Sequence, residues 1–463
     1  MRNTRAKVSK HSVSYAWALT VASVLFVPAA VPAAQLAFTR HELKNGAVLL
    51  VSEQRNVPMV VVQILIDAGS RRDPRGKEGL ASLTADLLTE GTAKRSAAQI
   101  SEAVDALGAR LSSSADVDFA QVSLTILSRY LERGLDLLFE VLLQPSFPAA
   151  EVSRRREAAL AAIAAEQDNP GQLAYRRFLE LVFGDTPYGH PPIGNRTSVG
   201  RLSRADVVDF YRQYYRASGT VIAVTGDVDA ESIVRRFETA LAPWPRGSVA
   251  EFQPPELPPT GEKIATIDKP LTQTNIILGH VGVPRDNPDF YAISVMNFIL
   301  GGGGFTSRLV ESVRVQGGLA YSVGSQFTAY KSTGIFQVAM QTKNASAAEA
   351  IARACNELHR IRSQPVEEEE LTNAQLYLTG SFPLRLDSNS KIASFLAQVE
   401  FYRLGADYIE RYMERIRAVS REDVQRVARQ YLNPGDLRMV AVGNLAETQL
   451  PPSPVCAAPP VSN

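Results

Sequence analysis

Histidine is scarce in this chain. There are five in 463 residues, and only His41, His190, His280 and His359 follow the first 34 positions. No two of these four are near in sequence, so no helix carries a local pair of imidazole ligands. Cysteine is scarcer still, with Cys355 in a helical pattern and Cys456 in a proline-rich tail. Two cysteines cannot make a disulfide framework. A bridge between them would tie the tail to the helix, and spacing alone does not decide it. No Lys/Arg-rich tract interleaves with aromatics and the formal charge is only +1, which argues against nucleic acid and other polyanionic partners. There is no G-x-S-x-G nucleophile elbow. The Gly301–Gly304 run also lacks the Gly-Lys-Ser/Thr ending of a phosphate loop.

With 45% apolar and 21% charged residues the composition is that of a globular protein, and the length calls for two or more domains. The N-terminus has the layout of a secretory leader over residues 1–34. Arg2, Arg5, Lys7 and Lys10 precede an uncharged, mostly apolar stretch from about Tyr15 to Val27, and Val31-Pro32-Ala33 offers a cleavage context. Removing this segment deletes those four cations and no acid, taking the formal charge from +1 to −3. No cysteine follows the apolar stretch, and no second stretch would span a membrane. The expectation is export to the periplasm with no stable membrane insertion once the leader is cleaved.

The chain also repeats itself. LSRADVVDFYRQYYRASGTVIAVTGD from Leu202 aligns without a gap on VSREDVQRVARQYLNPGDLRMVAVGN from Val419, an offset of 217 residues. Ser203 and Ser420, Asp206 and Asp423, Gln213 and Gln430, Tyr214 and Tyr431, and Gly226 and Gly443 coincide. Each copy reads as a Ser-capped amphipathic helix, a Gly-containing turn and a β-branched strand. This implies two related domains, at 35–242 and 263–448. A Pro-rich linker at 243–262 separates them, and a disordered Pro-rich tail at 449–463 follows. Each half opens with strands (AVLLVSE and MVVVQILIDAG; EKIATID and TNIILGHVG) and continues with helical patterns at 96–109, 130–143 and 348–361. The order predicts an α+β fold of two homologous sandwiches, each a mainly antiparallel sheet packed with helices.

GGGGFTSRLVESVRVQGGLAYS, from Gly301 to Ser322, resembles the glycine-rich loop and Arg/Tyr pair of the pitrilysin/insulinase family of zinc peptidases. Further fragments resemble the family in order and spacing. They are GAVLLVSEQRNVPMVVVQILIDAGSRRDP, GLASLTADLLTEGT, EQDNPGQLAYRR, YGHPPIGN and GDVD, and together with the second half they cover nearly all of the chain after the leader. The resemblance implies an H-x-x-E-H helix, with two zinc ligands at i and i+4 and a Glu base, plus a distal Glu ligand on a later helix. The aligned positions are Ser82, Ala85, Asp86 and Ala162, so all four chemical positions are lost. One hydroxyl and one carboxylate at i, i+4 are poor zinc ligands.

Arg314 and Tyr321 keep the family's spacing across Gln316-Gly317-Gly318. Taken bare, Arg314 complements the end of a helix dipole and Tyr321 is a strand aromatic. With the resemblance, they become donors to a substrate backbone, and Gly301, Gly302, Gly303 and Gly304 let that backbone approach closely. The resemblance therefore implies a metallopeptidase-like chain, inactive alone and without a cofactor of its own. It would work with a homologous zinc-bearing partner on peptides or unfolded proteins. Two alternatives stand beside it: a structural or assembly subunit like the core proteins of the bc₁ complex, and a peptide-binding chamber without hydrolysis.

Overall fold

The computed structural model describes residues 36–247, 250–253, 256, 262–451 and 455–456. The expected leader lies outside the described residues. From Phe38 onward the chain packs as one unit built around two sheets.

The first sheet contains β1 (Thr39–Glu42), β2 (Val48–Glu53), β3 (Met59–Ile66), β4 (Arg110–Ala115), β5 (Ala120–Leu127) and β6 (Thr220–Gly226), in the order β1-β2-β6-β3-β5-β4. The second contains β7 (Ile264–Asp268), β8 (Gln273–Val281), β9 (Ala320–Ala329), β10 (Gly334–Lys343) and β11 (Arg438–Gly443), in the order β7-β11-β8-β10-β9. Without β1, the two orders superpose strand for strand. Even the single parallel pairing recurs, β2 with β6 and β7 with β11, while every other pair is antiparallel. The sequence repeat is thus a repeat of topology, and the fold is α+β with two related halves. β4 and β9 stand at equivalent edges.

The helices of the first half are α1 (Leu80–Asp86), α2 (Ala97–Ala106), α3 (Leu131–Leu143), α4 (Ala149–Ala165), α5 (Pro170–Phe183), α6 (Arg196–Arg201), α7 (Arg204–Tyr214) and α8 (Ala230–Leu241). Those of the second are α9 (Phe290–Asn297), α10 (Ala347–Ser363), α11 (Glu368–Gly380), α12 (Asn389–Phe401), α13 (Tyr408–Arg417) and α14 (Arg421–Tyr431). The capping serines of the repeat do as expected: Ser203 accepts from the Asp206 N–H and Ser420 from the Asp423 N–H, each closing a capping box.

One face of the first sheet packs on its own helices, with Leu80, Leu83, Leu138, Val207 and Phe237 in the shared core. Its other face is covered by α12, from the second half. Reciprocally, α5 of the first half lies on β8 and β11 of the second sheet, burying Leu173, Phe178, Val182 and Phe183. This exchange explains why all seven residues of β6 are buried, whereas β5 alternates. Gly279 makes room for it, since a Cβ there would stand 2.5 Å from Phe178 Cζ and 2.0 Å from the Phe336 carbonyl oxygen.

An ionic cluster joins the halves. The Asp67 carboxylate accepts from Arg71 Nη2 at 2.6 Å and from Arg72 Nε and Nη2 at 3.1 and 2.9 Å. Asp118 accepts from the Lys331 backbone N–H at 2.8 Å and the Tyr402 hydroxyl at 3.0 Å, both in the second half. Burial pushes Asp67 up, but Arg72 and Arg71 outweigh it and hold the carboxyl below its usual value. Burial wins at Asp118, which is raised.

The linker is anchored at Trp244, which is buried and donates from Nε1 to the Tyr215 carbonyl at 3.0 Å. In the tail, Cys456 is buried and bonded to Cys355 on α10, with Cα atoms 5.3 Å apart. This corrects the expectation of a structureless tail at Val455 and Cys456, which a covalent bond and apolar burial hold in place.

Candidate functional site

The helix that the resemblance aligns with the family's zinc-binding helix is α1, and its start is fixed by side-chain and loop contacts. Asp73 caps α1 from a distance, accepting from the Gly79 and Ala81 N–H groups at 2.7 Å each. Gly79 (φ +98°) is required there, because a Cβ would meet the Ile193 carbonyl oxygen at 2.6 Å. The loop at 188–195, in which the sequence showed YGHPPIGN, thereby seats the start of α1.

The four residues that the resemblance aligns with the zinc site carry no histidine. Ser82 and Asp86 are half-buried, Ala85 is fully buried, and Ala162 on α4 is exposed. Burial pushes the Asp86 carboxyl up to about 6, with Arg155 opposing and Glu90 adding to the rise. An ionic cluster ties this region to α4. Glu90 accepts from Arg155 Nε at 2.9 Å and also pairs with Arg154. A donor set of one hydroxyl and one carboxylate does not fit a zinc ion. Among the described residues no group of three or more His, Cys, Asp or Glu is placed to hold a metal. The histidines are dispersed: His41 contacts Thr39 Oγ1, His190 the Pro191 carbonyl and His280 the Val281 carbonyl, while His359 lies on α10. Burial holds His190 and His280 below the ordinary imidazole value.

The Arg/Tyr half is assembled at the edge of the second sheet. After α9 the backbone widens into a π-helical turn, Phe298–Gly302, pressed against β9. Gly301 is buried there, and a Cβ would stand 2.5 Å from the Ser325 nitrogen. Asn297 and Ser325 stitch the contact through Nδ2 to carbonyl and Oγ to Oδ1 bonds of 3.2 and 2.8 Å. Arg308, nearly buried, forks onto Glu370 of α11 with bonds of 2.6 and 2.5 Å. That fork fixes the start of a second π-helical segment, Val310–Gln316, which carries Arg314. Gly318 (φ +60°) then turns the chain into β9, which presents Tyr321.

Arg314 and Tyr321 do come together. The Arg314 Cζ lies 5.9 Å from the Tyr321 ring centroid and 4.9 Å from that of Phe305. Tyr321 is 73% exposed and Phe305 70% exposed, an unusual display of two large rings around one guanidinium. Phe305 was missed by sequence reasoning. Its signal was its place between the Gly run and Ser307-Arg308. A cavity of about 570 Å³ runs along β9 beside this trio, lined by Asn297, Gly301, Gly302, Ser322, Gly324 and Gln326 among others. Gly303 and Gly304 belong to the next turn and do not line it. Arg314, on a helical segment, and Tyr321, on β9, thus stand in the second half, and Ser82, Ala85, Asp86 and Ala162 on helices of the first.

Two sheets of one strand order, each with an equivalent edge strand, make the chain a duplicated α+β protein. Residues 48–195 match the profile of the insulinase family, peptidase family M16, and residues 201–378 that of the peptidase M16 inactive domain. The crystal structure of a peptidase M16 inactive domain from Pseudomonas fluorescens is 30% identical and superposes with a TM-score of 0.84, covering 89% of this chain and 99% of that one. The non-peptidase homolog YmxG of Helicobacter pylori is 24% identical over 411 residues, 88% of this chain and 94% of that protein. An uncharacterized zinc protease of Rickettsia bellii is 28% identical over 394 residues, 84% and 94% of the two chains. The chain belongs to the insulinase family, peptidase family M16.

Proposed function

We propose that this protein is the metal-free, substrate-holding subunit of a two-chain M16 peptidase in the periplasm. The observation that carries the reading is the asymmetry between its halves. Arg314 and Tyr321 are held together by a dedicated scaffold, while Ser82, Ala85, Asp86 and Ala162 have no zinc-binding chemistry. A homologous partner would supply the H-x-x-E-H helix and its metal.

The work of this chain is binding and orientation. β9 is an edge strand, so its outward N–H and C=O groups suit an extended peptide added alongside. Gly301, Gly302 and Gly324 keep the adjoining wall low. The Arg314 guanidinium and the Tyr321 hydroxyl are donors suited to a peptide carbonyl oxygen and to the negative charge it gains when attacked. Export to the periplasm is supported by the N-terminal layout and by the Cys355–Cys456 bond, which persists in oxidising compartments.

Metal analysis and a peptide-hydrolysis assay test this reading. Alone, the purified chain is expected to carry no stoichiometric zinc and to cleave nothing. Mixed with an H-x-x-E-H chain from the same cell, it is expected to give hydrolysis above that of the zinc chain by itself. One zinc per chain in the lone protein, or cleavage by it, would overturn the proposal.

A further inference from the structure

A second cavity, of about 680 Å³, lies between α3, α7 and α8 and the start of the linker. Its lining is rich in cations: Lys94, Arg95, Arg212, Arg216 and Arg236. Against them stand Asp136 and Glu140, and both are already engaged. Glu140 pairs with Arg95 and also accepts from Thr92 Oγ1 at 2.5 Å, while Asp136 pairs with Arg236. Lys94, Arg212 and Arg216 form no ion pair with any described residue. Nor is a side-chain carboxylate hidden elsewhere, because no Asp or Glu lies outside the described residues. Three unpaired cations therefore share one concavity, an arrangement that like-charge repulsion opposes and a bound anion relieves.

The rest of the lining is aromatic. Phe139, Tyr215 and Trp244 are buried in the wall, and Tyr211 completes it. The polar ends of two of these rings are already satisfied. Tyr211 donates its hydroxyl to the Leu142 carbonyl at 2.6 Å, and Trp244 donates Nε1 to that of Tyr215. Of the four rings only that of Tyr211 is partly exposed, so it is the one with surface to offer. Arg236 already lies over Phe139, 5.1 Å from the centroid, and the Tyr211 and Tyr215 rings lie 4.9 Å apart. Pro243 and Pro245 flank Trp244 and stiffen that side.

We infer that this cavity is a binding site for a small anion carrying an aromatic body, of the aryl phosphate or aryl carboxylate class. Lys94, Arg212 and Arg216 take the anionic group, with the guanidiniums suited to fork onto it, and the half-buried Tyr211 takes the ring, backed by the buried Tyr215 and Trp244. The volume is within the range of small-molecule sites. The site lies on helices of the first half, apart from β9, and the inference does not depend on the role proposed for Arg314 and Tyr321.

Isothermal titration of the intact leader-free chain with phenyl phosphate tests it, with inorganic phosphate and phenol as separate arms. Trp244 provides a second readout: the only other tryptophan, Trp17, falls within the leader, so fluorescence reports this cavity alone. The expected result is saturable binding of phenyl phosphate with a change in Trp244 emission. Affinity should be at least tenfold above that for either inorganic phosphate or phenol, and should weaken as salt rises. Arg212→Ala with Arg216→Ala should lose at least tenfold. The exposed Lys94→Ala should lose severalfold and guards against misfolding of the double variant. Absence of saturable heat, equal binding of inorganic phosphate, or binding unchanged in folded variants would overturn the inference.

Discussion

Asp86, which the resemblance aligns with a zinc-ligand histidine, has the chemistry of a poorly solvated acid. Its carboxyl is pushed from an ordinary 3.8 up to about 6 by burial. Between those values the folded state holds more protons than the unfolded state, so this group's contribution to stability falls as pH rises through that window. Above about pH 6 the penalty of a buried, incompletely paired charge is present in full. Asp86→Asn removes it. The variant is expected to exceed the parent in stability by about 1–3 kcal/mol at pH 7.5 and to match it near pH 4. Urea unfolding at both pH values checks this, and equal stability at pH 7.5 would contradict it. At this scale the sequence was informative about identities and silent about neighbours. The vacancy at Ser82, Ala85, Asp86 and Ala162 follows from alignment of one motif. The Arg154–Glu90–Arg155 cluster that ties α4 to this region needed coordinates, because its partners lie 64 and 65 residues apart. Phe305 was hidden for a similar reason: an apolar residue reads as core until its exposure is seen.

Among the elements, α1 is a well-anchored scaffold. Asp73 still caps it, Gly79 still lets the 188–195 loop press on it, and it still packs against α4. If that geometry is intact, ligands can be returned to it. Ser82→His, Asp86→His and Ala162→Glu together are expected to create a site holding one zinc per chain, read by metal analysis after dialysis. A folded triple variant that retains no zinc would show that α1 and α4 have moved out of coordinating distance. Local sequence signals worked well for elements of this sort. The Ser96 capping box starts α2 one residue into the expected 96–109 helix, and the expected 130–143 and 348–361 patterns became α3 and α10. The π-helical turns at Phe298–Gly302 and Val310–Gln316 were not legible. A period near four describes α and π backbones alike over one or two turns, and tight packing on β9 selects the wider form.

For the molecule as a whole, the decisive feature is the exchange of α5 and α12 between the halves. The 217-residue repeat announced two related domains and the strand order confirmed it, but no local pattern says which sheet a helix will cover. Each exchanged helix is amphipathic, and its apolar face suits either sheet. Gly279 marks the choice, since Phe178 of α5 occupies the space a side chain there would fill. Gly279→Ala is expected to destabilise the protein by about 2 kcal/mol or more in urea unfolding, through steric conflict with Phe178 and the Phe336 carbonyl. Gly435→Ala, where a Cβ meets nothing within 4 Å, should be nearly neutral and serves as the control. Equal effects at the two positions would show that α5 does not constrain the second sheet. The same exchange, with the Asp67–Arg71–Arg72 and Asp118–Lys331–Tyr402 contacts, makes the two halves one body. A body so joined holds β9 and its Arg/Tyr pair in a fixed relation to whatever docks on the first half.

The most direct test of a substrate-holding role is the hydrolysis rate of the reconstituted two-chain enzyme when only this chain is changed. With Arg314→Ala or Tyr321→Phe, kcat is expected to fall by about 10²–10³, while the partner's zinc content and the co-purification of the two chains stay the same. A double variant that supports full hydrolysis would contradict the account.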